Sequence, residues 1–178
     1  MGGERSSLDF DSYCSWSYPT GKEAVMEKYT AVSVAEKTVF MPEDRERVLE
    51  NIRCNITDLA YANPETTFIC FFPPYSICNW EKLFTANSLH WMIEANRTAA
   101  EELLKCPNLK LYGFDNHYDI ICNLDNYRDP KHYCADINSE LLKMMADGAS
   151  MLTLDNYEDY FNEIEQFYGE YDYSRIWE

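Results

Sequence analysis

An unbroken apolar run that stops at two prolines is the strongest constraint on how this chain folds. Residues 66–72 read TTFICFF, and Pro73 and Pro74 follow directly. Proline has no backbone N–H to give to a strand ladder, so a strand ends there. The run shows no polar alternation, which is typical of a strand buried on both faces. We therefore predict a strand over residues 66–72 in the middle of a parallel sheet covered by helices.

Helical patterns on either side of this strand place it in an α/β unit. Apolar residues recur at helical spacing over residues 42–61 and 83–104, and a second short strand, LKLYGF, covers residues 109–114. Helix and strand alternate in this way when a right-handed crossover joins parallel strands. The sequence thus predicts an α/β three-layer sandwich with a parallel sheet, flavodoxin-like in its arrangement.

Two further helices are predicted towards the C-terminus from their capping residues. Asp136 or Asn138 can cap the first, which ends near Gly148, and Thr153 or Asp155 can cap the second. Both come after a long polar segment that begins at residue 115, in which residues 117–124 favour one helical turn.

The length and charge of the chain limit its organisation and its partners. Its 178 residues suit one domain. Residues 1–41 are predicted to form a mixed N-terminal arm, with helical turns over 23–30 and a strand or loop over 30–40, and residues 42–178 the α/β portion. A formal net charge of −16 repels phosphate backbones, so no nucleic-acid partner is expected. We expect no membrane span and no secretion signal, since no apolar run is long enough for either.

The cysteines predict reduced thiols and no metal centre. There are seven of them, an odd number, and none shows CxxC spacing. Several lie within apolar runs, where a free cysteine behaves as a small apolar side chain. We therefore expect no zinc site and no metal or organic cofactor.

Asp129 and His132 are the candidate catalytic residues. Their spacing of three lets both side chains face one way in a turn. A carboxylate on one imidazole nitrogen fixes the tautomer, and the other nitrogen can then take a proton from a nucleophile. The alternative is a surface turn that an Asp–His contact merely closes. Of the other histidines, His90 is expected to pack within a helix and His117 to lie in a loop.

The order of these elements resembles the SGNH/GDSL hydrolase superfamily, and more closely its DltD-like bacterial members. The resemblance covers roughly residues 45–150: an apolar strand ending in PPYS, a helix, the strand LKLYGF, the segment NLDNYRDPKHY and a further helix. In that superfamily a DxxH block after the last core strand supplies the catalytic aspartate and histidine. Asp129 and His132 match that block by type, spacing and place.

The chain also departs from the superfamily in its nucleophile. No Gly-Asp-Ser block occurs, and only the last two core strands are recognisable, so the resemblance implies an incomplete sandwich that lacks its N-terminal nucleophile region. Ser76 comes after the wrong strand, and a proline pair precedes it where a nucleophile elbow needs small residues. We expect Ser76 to form a wall or a hydrogen bond near the site, with Tyr75 and Trp80 as apolar substrate-binding residues.

The resemblance implies the C-terminal part of a serine esterase or acyltransferase that acts on O-acyl groups of cell-surface polymers. Asp129 and His132 would be supplied here, and the serine would lie outside this chain. The alternative is a non-catalytic structural or interaction domain. The expected partners are the missing N-terminal half or a second copy of the chain, with an acylated polymer as substrate. The resembled family is membrane-anchored with an extracytoplasmic domain, whereas no signal peptide is recognisable in this sequence, so its localisation stays open.

Overall fold

A computed structural model describes residues 19–178, which form helices packed around a small sheet. The α-helices are α1 (Lys22–Lys28), α2 (Pro42–Ile52), α3 (Asp58–Ala62), α4 (Ile77–Thr85), α5 (Leu89–Leu103), α6 (Tyr118–Ile121), α7 (Ala135–Ala146) and α8 (Tyr157–Glu170). The strands are β1 (Phe68–Phe72), β2 (Leu109–Gly113) and β3 (Met151–Leu152). A π-helical segment, Arg53–Thr57, joins α2 to α3, and Leu124–Asn126 and Tyr173–Trp177 are 3-10 turns.

The sheet contains the predicted parallel pair and one additional strand. β1 and β2 run parallel, from Phe68 opposite Leu109 to Phe72 opposite Gly113. β3 is antiparallel to β2, and the strand order is β1-β2-β3. The predicted α/β class with a parallel strand pair is confirmed. β3 was not predicted, because two residues are too few to show a period in the sequence.

The prediction that β1 is a central strand buried on both faces is wrong. Within residues 19–178, β1 lies at the edge of the sheet, and the side chains of Ile69 and Phe71 are 58% and 39% exposed. Phe68, Cys70 and Phe72 point the other way and pack against the core. Apolar composition shows which side chains gain from burial, but it does not supply the neighbours that bury them.

The helix predicted over residues 83–104 is two helices with a break between them. α4 already begins at Ile77, and the chain turns before α5 at Asn87, which has a left-handed φ of 53°. Asparagine adopts this conformation more readily than most residues. The Asn87 side chain also donates to the Ala35 carbonyl at 2.7 Å, which ties the break to the N-terminal arm. Of the six residues expected on the buried stripe of α5, Met92 is half-buried and the other five are buried: Leu89, Ile93, Ala99, Ala100 and Leu103.

The helix predicted over residues 42–61 is present but changes its face at the π-helical segment. A π turn contains one residue more than an α turn and so rotates the residues after it about the helix axis. Thr57 is buried here although it was not expected in the buried stripe, and Leu59, which was expected there, is exposed. Ala60 is buried as expected. The two helices predicted nearer the C-terminus are confirmed as α7 and α8, but their N-cap residues are Cys134 and Asn156 and not the predicted ones.

The described part of the N-terminal arm packs against the rest of the chain. α1 buries Val25 fully, and Gly21 donates its N–H to the Tyr127 carbonyl at 2.8 Å. Residues 30–40 form a loop without regular structure, which was one of the two expectations. Residues 1–18 of the predicted arm lie outside the described residues.

The expectations of reduced cysteines and of no membrane span can be compared with residues 19–178. The six cysteines in this part are free thiols, and Cys54 is the exposed one. None of the helices in this part is both long and apolar enough to cross a membrane.

Candidate active site

Asp129 and His132 lie in a closed loop between β2 and α7. Tyr127 and Tyr133 form an isolated antiparallel bridge at the base of this loop. Inside the bridge, the Arg128 N–H donates to the His132 carbonyl at 2.9 Å. The backbone of the loop therefore holds both candidate side chains in a fixed relation.

The predicted hydrogen bond between Asp129 and His132 is present. The His132 Nδ1 atom lies 2.8 Å and 2.9 Å from the two carboxylate oxygens of Asp129. The Asp129 Oδ1 atom also accepts the backbone N–H groups of Lys131 and His132, each at 2.9 Å. Such local bonds from an aspartate to the next backbone groups are typical of an Asx turn, so the sequence DPKH itself builds the pair.

The environment of Asp129 keeps it ionised. Its partial burial tends to raise the pKa of the carboxyl group, but the N–H groups of Lys131 and His132 and the His132 ring outweigh that effect, and the pKa lies below its ordinary value. A carboxylate at Nδ1 places the ring proton there, which leaves Nε2 as a proton acceptor. The His132 side chain is 61% exposed, so a group outside the described residues can reach it.

The loop is held against the segment immediately after β1. The Ser76 hydroxyl donates to the Pro130 carbonyl at 2.6 Å, and the Tyr127 hydroxyl donates to the Pro74 carbonyl at 2.7 Å. Ser76 is fully buried and is the N-cap residue of α4. Its hydroxyl is thus committed to holding the loop, which matches the expectation of a hydrogen bond near the site and gives no exposed nucleophile.

The predicted substrate-binding residues are only partly at the surface. Tyr75 is half-buried, with the Lys131 Nζ atom 5.9 Å from the centre of its ring. Trp80 is buried and stacks on Tyr168 with 3.9 Å between ring centres. Ser76 and Trp80 present no side chain to solvent in this conformation, so Tyr75 is the member of the three that is placed to meet a ligand. Their role in binding stays a prediction.

A buried carboxyl group at the end of β2 was missed in the sequence. Asp115 is 2% exposed, and complete burial raises its pKa to about 7 although the Tyr160 hydroxyl, 3.2 Å from Oδ2, favours the ionised form. The Tyr168 hydroxyl donates to the Asp115 carbonyl. A polar residue directly after a parallel strand is the signal that could have drawn attention to it, because ligand sites lie at such ends.

A second histidine also contacts a hydroxyl group. The His117 Nε2 atom lies 2.7 Å from the Ser150 Oγ atom, and Ser150 has a left-handed φ of 61°. Burial lowers the pKa of His117, which favours the neutral ring. Within residues 19–178 no carboxylate is hydrogen-bonded to its other nitrogen, so the pair lacks the orienting group of a triad. The two residues are 33 apart, and no local pattern predicts their contact.

Comparison with known proteins found no relative of this chain. No protein-family model matches the chain, and no curated protein or solved structure matches it either. The class that the fold and the site define is therefore an α/β protein with an exposed, oriented Asp–His pair.

Proposed function

We propose that the chain supplies the general base and its orienting carboxylate to an SGNH-like ester-hydrolysing or acyl-transferring site. The observation that carries the proposal is the bond from Asp129 to the Nδ1 atom of an exposed His132. An imidazole held in this way can accept the proton of an attacking hydroxyl and return it to a leaving group. The O-acyl groups of a cell-surface polymer are the substrate that the resemblance to DltD-like proteins implies.

The proposal requires a serine that the described residues do not bring to His132. In residues 19–178 the ring of His132 is hydrogen-bonded to Asp129 alone, and the nearby Ser76 hydroxyl is bonded to Pro130. An acyl-enzyme needs both a nucleophile and oxyanion donors. We therefore expect little or no turnover of short p-nitrophenyl esters by this chain alone, with no difference between the chain and His132→Ala.

Complementation tests the proposal directly. The chain is mixed with a separately expressed segment that carries the first three strands and the serine block of an SGNH hydrolase, and p-nitrophenyl ester turnover is measured. Turnover should appear in the mixture only. It should fall by at least about 10²-fold with His132→Ala, the size of a typical general-base contribution, and should remain with the control variant His117→Ala. Binding of the two polypeptides without any turnover would contradict the proposal.

The second candidate function is a non-catalytic interaction domain, which the exposed face of β1 favours. Ile69 and Phe71 lie exposed on a strand at the edge of the described sheet. Such an edge has unpaired backbone groups on one side and binds another strand readily. Association that requires this strand, together with inactivity in the mixture, would support this candidate instead.

A further inference from the structure

A histidine and two glutamates meet between α5 and α8, away from the Asp129–His132 loop. His90 and Glu94 are four residues apart on α5, so they lie on one face of that helix. Glu165 of α8 reaches the same place, with its Oε1 atom 2.5 Å from the His90 Nδ1 atom. One ligand atom from each of the three residues lies within 4.8 Å of the others. His90 lies in a helix as expected, but its side chain is 51% exposed and so does not serve as a packing residue.

Arg97 orients the two glutamates without neutralising the surrounding charge. Its Nε atom lies 2.9 Å from Glu94 Oε1, and its Nη2 atom lies 3.6 Å from Glu165 Oε2. Arg97 also pairs with Glu158. Three carboxylates thus surround one guanidinium group, which leaves an excess of negative charge. Arg97 pairs with Glu94 Oε1 and lies near Glu165 Oε2. Glu94 Oε2 therefore remains for another cation, whereas Glu165 Oε1 is held by its hydrogen bond to His90.

We propose that His90, Glu94 and Glu165 bind a divalent transition-metal ion, with Zn²⁺ as the first candidate. One imidazole nitrogen and two carboxylate oxygens suit Zn²⁺ and its neighbours in the first transition row, whereas Mg²⁺ and Ca²⁺ prefer oxygen ligands alone. Arg97 would serve as the outer partner that fixes both carboxylates, since groups bonded to the ligands orient them in metal sites. The partly exposed side chains leave a fourth position to water.

Metal binding at this place replaces the His90–Glu165 hydrogen bond by one metal–ligand bond to each of these residues, and Glu94 provides the third ligand. Ligands about 2.0–2.1 Å from a tetrahedral Zn²⁺ lie about 3.3 Å apart. The His90 and Glu165 atoms must therefore separate by somewhat less than about 1 Å, which a change of the partly exposed glutamate rotamer can provide. The proton on the ring nitrogen leaves to solvent when the metal binds. The site would join α5 to α8 and is independent of the proposed ester chemistry.

Binding of Co²⁺ tests the proposal, because the visible absorption of bound Co²⁺ depends on its ligands. The full-length chain is titrated with Co²⁺ and then with Zn²⁺ as competitor, alongside the variants His90→Gln and Glu165→Gln. We expect one equivalent of Co²⁺ with visible bands, displaced by Zn²⁺, and at least about a 10-fold loss of affinity in each variant. His132→Gln, which changes another exposed histidine, is the matched control and should bind as the unaltered chain does.

The free thiols provide the main competing site, and the spectrum separates them. Thiolate ligands add strong near-ultraviolet charge-transfer bands, which a nitrogen and oxygen site lacks. Such bands, or equal Co²⁺ affinity in His90→Gln, would overturn the proposal. A variant that loses binding must keep the far-ultraviolet circular dichroism of the chain. Glu94→Gln, a less exposed position, should weaken binding by a similar factor.

Discussion

At the scale of single residues, Asp115 has the most unusual environment of the described carboxyl groups. It lies just beyond the end of β2, its side chain is buried beside Tyr160, and its pKa is raised to about 7. An unfolded aspartate has a pKa near 3.8. Between these two values the folded chain holds a proton that the unfolded chain has released, so the free energy of unfolding falls as pH rises through this window. Above about pH 7 the whole cost of burying the charge is present.

Replacement of Asp115 by asparagine should remove this pH dependence. The amide has the same shape and can still accept from the Tyr160 hydroxyl, but it carries no charge to bury. We expect Asp115→Asn to be close to the unaltered chain at about pH 4 and more stable at about pH 8 by about 2–4 kcal/mol, since one pKa unit corresponds to about 1.4 kcal/mol. Urea unfolding at both pH values measures this.

Asp119→Asn is the matched control, because Asp119 is exposed and lies only one helical turn further along the chain. It should change the free energy of unfolding little at either pH. An Asp115→Asn variant that is destabilised at the higher pH would show that the Asp115 charge is compensated in the folded state.

At the scale of the elements, β2 and α8 approach each other closely at Gly113 and Tyr160. Gly113 ends β2, and a Cβ atom at this position would lie 2.5 Å from Tyr160 Cζ and 2.8 Å from its hydroxyl oxygen. Tyr160 cannot move away easily, since it is buried and its hydroxyl is bonded to the Asp115 N–H. The glycine is thus required by close packing and not by an unusual backbone angle.

Gly113→Ala should therefore destabilise the fold. An added methyl group in a packed core typically costs about 1–3 kcal/mol. Gly169→Ala is the control, because nothing lies within 4 Å of its Cβ position in α8. Alanine there should stabilise the helix by about 0.5–1 kcal/mol. Equal effects of the two substitutions in urea unfolding would mean that β2 and α8 are not in tight contact.

At the scale of the whole molecule, strong negative charge coexists with an apolar edge strand. The net charge of −16 opposes close approach of two chains at low ionic strength. Ile69 and Phe71 on β1 provide exposed apolar surface beside backbone groups that no described strand pairs. The charge opposes self-association and the apolar edge favours it, and salt weakens only the repulsion between the charges.

We expect self-association that increases with both protein and salt concentration. Light scattering at two protein concentrations and two salt concentrations should show a higher mass at the higher value of each. Ile69→Glu should reduce association, whereas Val34→Glu, at an exposed position outside the sheet, should not. A monomer under all conditions would contradict the expectation that another chain pairs with β1.

The sequence alone determined the features that depend on neighbouring residues. The strand ending at Pro73, the parallel α/β unit and the helices α7 and α8 are consequences of local periodicity and prolines. The contact of Asp129 with His132 is likewise local, since an aspartate before a turn bonds to the residues directly after it. These features could be predicted because short-range geometry leaves few alternatives.

Only the tertiary structure decided the features that join distant parts of the chain. The edge position of β1, the burial of Asp115, the bond from Ser76 to Pro130 and the meeting of His90 with Glu165 all depend on how helices and strands pack. No residue pattern specifies which of many apolar faces will meet, because the hydrophobic effect is non-directional. The four consecutive residues 129–132 are thus enough to form the candidate pair, whereas contacts between distant parts of the chain determine its surroundings.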